Sequence, residues 1–114
     1  MGADPKRGSE RIELLGGLSG VVMMPQPTVV RQMGTGGMEI ETAFPLHLDS
    51  LHDFKLTLGD RPVVLKGRVV HSHISDVDQD IVRYRSGIEF VEPSERVAAV
   101  IADFLQGIRQ ARQR

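Results

Sequence analysis

The 114-residue chain carries 14 Lys and Arg, 15 Asp and Glu and no cysteine, for a formal net charge of −1, with 40% hydrophobic and 25% charged residues. That balance fits one folded domain with a modest core. It excludes a disulfide framework, a thiolate metal site and a cysteine nucleophile, and it makes the whole surface a poor match for a nucleic-acid polyanion. No signal-peptide run and no stretch of about twenty apolar residues is present, so a cytoplasmic location without membrane insertion is expected.

In chain order, the first segment is polar, punctuated by glycine and without a period of 2 or 3.6. It is expected to be a flexible arm over residues 1–18, ahead of a folded unit over residues 19–114. The arm carries Arg7-Gly-Ser-Glu-Arg11, two guanidinium groups that bind phosphate bidentately or stack on a base, although such a pair is also ordinary solvated surface charge. Short apolar segments follow. "GVVMM" stops at Pro25 and Pro27, and "TVVRQM" runs into Gly34, Gly36 and Gly37. "MEIET" and "FKLTL" alternate with period two, placing Met38 and Ile40, then Phe54, Leu56 and Leu58, on one face. "GDRP" is a turn into "VVLKGRVVHSHI", the polar "SDVDQD" is a loop, and "IVRYRSGIEFV" is the last strand. From Ser94 the spacing changes to helical, with Val97, Val100, Ile101, Phe104, Leu105 and Ile108 on one stripe, Ser94 as N-cap and Glu95 in the first turn. The expected architecture is all-β: a small six-stranded antiparallel barrel with one C-terminal helix, about residues 94–110, packed on it.

Several chemistries fail on spacing. A dinucleotide fingerprint needs glycine where Glu39 stands, a P-loop needs Gly-Lys-Ser/Thr, and "GLSG" is not a nucleophile elbow. His71 and His73 share a strand face, but no matched carboxylate completes a metal set; the loop of Asp76, Asp78 and Asp80 has Ile81 where a calcium loop needs glycine. No carboxylate pair or Ser/His/Asp set converges, so neither an enzyme nor a resident metal or cofactor is expected. One tyrosine, four phenylalanines and no tryptophan are too few for a base-stacking platform, which argues against DNA or RNA as partner.

The arginine pair, the glycine-rich entry to a strand, "GRVV", "SGIEFVEP" and the closing helix, taken in this order, resemble a PilZ domain. The resemblance implies a six-stranded barrel with a C-terminal helix and a receptor for the bacterial second messenger cyclic di-GMP. Binding would run through RxxxR on the arm and [D/N]xSxxG at the head of a strand. By resemblance, Arg7 and Arg11 grip the phosphates or a guanine, and the second motif falls on Gln32, Gly34 and Gly37, where only Gly37 keeps the family residue. Gln32 offers one carbonyl where a carboxylate accepts from both N–H groups of a guanine edge, and Gly34 offers no hydroxyl. A lost charge-assisted acceptor costs about 1.5–3 kcal/mol and a lost hydroxyl contact about 0.5–1.5, so binding weakens by about one to three decades. Two functions stay open: a cyclic di-GMP receptor that relays the ligand to an unidentified protein partner, and a PilZ-fold adaptor that does not bind the nucleotide and works by protein contact, for example in motility or type IV pilus function.

Overall fold

The computed structural model describes residues 11–22, 26–78 and 81–112, with the backbone alone for residues 15–22, 26, 27, 76 and 78. Six strands precede one helix: β1 (Ile12–Val22), β2 (Gln26–Met33), β3 (Gly37–Thr42), β4 (Leu51–Leu58), β5 (Arg61–Asp78), β6 (Ile81–Phe90) and α1 (Glu95–Arg112). All neighbours are antiparallel, in the order β1-β2-β3-β6-β5-β4. The sheet meets itself at a short seam, where Gly20, Val21 and Val22 face Leu56, Lys55 and Phe54.

Alternation explains the strands. In β4 the inward residues Phe54, Leu56 and Leu58 are buried while their neighbours face solvent, and in β3 Met38 and Ile40 are fully buried. Gly59, φ 69°, turns β4 into β5 in the left-handed region that glycine adopts without a Cβ clash. The inner faces and the helix form one core, with Phe54, Met33, Met38, Ile40 and Ile88 among its fully buried side chains.

The helix behaves as its spacing predicts. Ser94 Oγ accepts from the Val97 N–H at 3.2 Å, the capping bond that satisfies a first-turn donor. Val97, Val100, Ile101 and Leu105 are buried, while Phe104 and Ile108 pack on the core from a half-buried position. Arg61 on β5 holds Asp103 at 2.7 Å, and the Arg112 guanidinium donates to the backbone carbonyl of Glu13, tying the helix end to the start of β1.

Two boundaries differ from expectation. Residues 12–18, expected as arm, belong to β1; a register shift between Glu13 and Leu18 breaks the alternation that would have marked a strand. Arg7 and the rest of residues 1–10 lie outside the described residues. The loop expected at "SDVDQD" is strand as far as Asp78, and Gln79 and Asp80 lie outside the described residues. Beyond Thr42 no third strand among the described residues accompanies the β5–β6 ribbon, so both its faces meet water and tolerate polar residues in extended backbone.

Candidate functional site

The outer face of the barrel is built by register. Glu13 on β1 stands opposite Gln32 on β2, Gln32 opposite Glu39 on β3, Glu39 opposite Gly87 on β6, and Gly87 opposite His71 on β5. Directly opposed residues of an antiparallel pair share a face, so these five form one row across five strands. Two bulges keep the row in step, one between Val30 and Gln32 and one between Val69 and His71.

Contacts run along the row. Gln32 Nε2 donates to Glu13 Oε1 at 2.8 Å. Glu39 Oε2 takes the Arg11 guanidinium from one side at 3.8 Å and His71 Nε2 from the other at 3.4 Å. Gly87 makes the second contact feasible: a Cβ there would stand 2.3 Å from His71 Nε2, so the missing side chain is the space through which the imidazole reaches Glu39. His71 stacks on His73, ring centroids 5.9 Å apart.

A second set lies beside the first. Glu41 stands opposite Arg85, which stands opposite His73, and Glu41 Oε1 accepts from both Nε and an Nη of Arg31 at 2.8 Å. Arg85 Nε is buried and without a hydrogen-bond partner. Guanidinium groups and carboxylates thus share this surface, Arg11 with Glu39 and Arg31 with Glu41, and a dianionic ligand would have to exchange existing ion pairs for its own phosphates. No group of three or more His, Asp and Glu side chains among the described residues is arranged to hold a metal ion.

The glycine-rich turn sits at the end of the row. The Gly34 N–H donates to the Gly37 carbonyl at 2.9 Å, and Phe90 N–H donates to the Gly36 carbonyl at 2.9 Å, pinning the turn to the end of β6. Gly37 is required by space: a Cβ would lie 2.3 Å from the Ile88 carbonyl oxygen and 3.1 Å from an Arg11 guanidinium nitrogen. Arg11, Gln32 and Gly37 therefore come together on one surface, with Gly34 buried in the turn beside them, while Arg7 falls outside the described residues. Glu13, Glu39, Gly87 and His71 were absent from the set chosen by motif. Alternation marks Glu39 as outward, but its neighbours depend on bulges that composition does not reveal.

The family model described as "PilZ domain" matches residues 7–107. No curated protein matches the chain. Among solved structures, the complex of MrkH from K. pneumonia with c-di-GMP superposes with a TM-score of 0.75 at 13% identity, covering 99% of this chain and 55% of that one. The PilZ domain of YcgR from Escherichia coli with c-di-GMP superposes with a TM-score of 0.69 at 15% identity, covering 93% of this chain and 96% of that one. The chain thus spans about half of the MrkH chain, and identities this low speak to the fold.

Proposed function

The chain belongs to the PilZ domain family, and from that premise we propose that it is a cyclic di-GMP receptor domain rather than an enzyme. One observation carries the reading: the second arginine of RxxxR and the last glycine of the strand-entry motif meet on the outer barrel, Arg11 lying 3.1 Å from the place a Gly37 Cβ would occupy. Those two elements are separated in sequence by β1 and β2, and folding joins them on one surface. In the proposal Arg11, joined by Arg7 from the preceding segment, takes the phosphates; Gln32 and the turn at Gly34 face a guanine; and Gly37 lets the ligand approach the backbone. The neighbours' ligand supports the same reading, since both MrkH and the YcgR domain were solved with c-di-GMP. Arg7, Arg11 and the turn then form a surface that a protein partner reads.

Calorimetry of the chain with cyclic di-GMP tests this. Binding is expected to weaken by about 10–100-fold in Arg11→Ala, the loss of a charged hydrogen-bonding group, and to weaken with rising salt. Unchanged affinity in Arg11→Ala would place the site elsewhere, and no binding by the wild type would overturn the receptor reading. The adaptor reading rests on a different observation: Ile74 and Val77, opposite Tyr84 and Val82, are exposed on one face of the β5–β6 ribbon, an apolar surface suited to a protein contact. It would stand if the wild type failed to bind nucleotide.

A further inference from the structure

The receptor reading leaves one chemical need unmet. The Watson–Crick edge of guanine presents adjacent N1–H and N2–H donors, and a carboxylate accepts both at once. Gln32 offers a single carbonyl, and its amide nitrogen is engaged by Glu13 at 2.8 Å.

Four carboxylates stand on this face, Glu13, Glu39, Glu41 and Glu89, the last opposite Gly37 and Arg68, and their contacts and places in the register separate them. Glu13 accepts the short bond from Gln32. Glu41 accepts two short contacts from Arg31, both at 2.8 Å. Among the described residues Glu39 is held only by the longer contacts to Arg11 and His71, at 3.8 and 3.4 Å, and both fall on the same oxygen, Oε2. Of the three carboxylates held by side chains, it is the one whose partners cost least to exchange, and Glu89 stands opposite Gly37 rather than Gln32. Glu39 also stands directly opposite Gln32, where Cβ atoms of an antiparallel pair lie about 4.5–5.5 Å apart. Its side chain is only 14% exposed, so a hydrogen bond made there meets less competition from water.

We propose that Glu39 is a specificity-determining residue that supplies the paired acceptor for guanine, one strand away from the motif position where Gln32 has lost it. The proposal rests on the receptor reading above. In the free protein Arg11 and His71 position the carboxylate; on binding, Arg11 turns to phosphate and Glu39 exchanges that contact for the guanine N–H pair. The opposite role is equally concrete. If Glu39 only neutralises Arg11, it competes with the phosphates, and removing its charge tightens binding.

Calorimetry of the full chain with cyclic di-GMP and with cyclic di-AMP, whose adenine lacks that donor pair, separates the two. The wild type is expected to prefer cyclic di-GMP. Glu39→Gln is expected to bind cyclic di-GMP about tenfold or more weakly, with cyclic di-AMP unchanged, and Gln32→Asp combined with Glu39→Gln is expected to recover the preference by returning a carboxylate one strand across. Melting curves check that each variant is folded, and Glu39→Asp, which keeps the charge but withdraws it by one methylene, should lose an intermediate amount. A Glu39→Gln protein that binds cyclic di-GMP as tightly as the wild type, or more tightly, overturns the inference while the receptor reading stands. A wild type that binds neither nucleotide overturns both.

Discussion

Two rows of residues cross the same five strands almost side by side. The inner one is Ile12, Met33, Met38, Ile88 and Val69; the outer one is Glu13, Gln32, Glu39, Gly87 and His71. On four strands the two rows are one residue apart, and on β5 the bulge at Val70 makes it two. The inner row is buried throughout, four of its side chains wholly so, and it contains no polar group. The outer row is polar but for Gly87 and is held by an amide contact, the longer contacts of Glu39 to Arg11 and His71, and one missing side chain. Register that is enforced by burial on one face is thereby handed to the other without further stabilising work, because slipping a strand by one residue would expose its apolar side chains, and on β3 would also expose Met38 and bury Glu39. A barrel of this kind can vary its outer chemistry while the inner row keeps every position aligned.

Adjacent substitutions on β3 should expose that division most strongly. Met38→Ala removes a fully buried side chain and is expected to cost about 2–5 kcal/mol, while Glu39→Ala, one residue on, should cost less than about 1 kcal/mol. Denaturant unfolding of both variants measures the gap. Comparable losses would mean that the outer row is structural.

A smaller effect tests where the rows touch. Gly37→Ala puts a methyl 2.3 Å from the Ile88 carbonyl oxygen, a backbone atom that gives only if β3 and β6 separate. The expected cost is about 1–3 kcal/mol, with Arg11 displaced as well. A protein as stable as the wild type would show that the turn relaxes freely and that glycine is kept there for the ligand alone.

Much of the fold was legible because burial imposes period two on β3 and β4 and helical spacing on α1. Leu56 and Leu58, like Val97 and Ile101, fall where those patterns put them. β1 was not legible, since the register shift between Glu13 and Leu18 interrupts alternation in "ELLGGL" and leaves a stretch that looks like linker. The far half of β5 was hidden for the opposite reason: it is exposed on both faces, so "SDVD" carries no apolar signal although it is extended and paired. At the site, motif spacing was enough to name Arg11 and Gly37, whose closeness the fold then supplies. Glu39 and His71 were out of reach, because which residue faces which depends on bulges at Arg31 and Val70, and one extra residue in a strand exchanges every outward neighbour.

The smallest effect concerns Gln32, the uncharged link of the outer row. It stands between Glu13 and Glu39 in register and donates its amide to Glu13. Gln32→Asp restores the acidic residue that the family motif carries, yet here it removes the donor and sets a third carboxylate directly opposite two others. Like charges opposed across strands destabilise, and with the lost amide contact the expected cost is about 0.5–1.5 kcal/mol at low ionic strength. The loss should shrink as salt screens the repulsion, and most of it should return in a Glu13→Gln background. Thermal unfolding at two salt concentrations measures both. If Glu39 already supplies the guanine acceptor, the same substitution should tighten cyclic di-GMP binding by less than about tenfold, since the new carboxylate duplicates one in place. A Gln32→Asp protein as stable as the wild type at low salt would mean that these side chains do not feel one another across the strands, and the outer row would then be a set of independent surface residues aligned only by the core beneath.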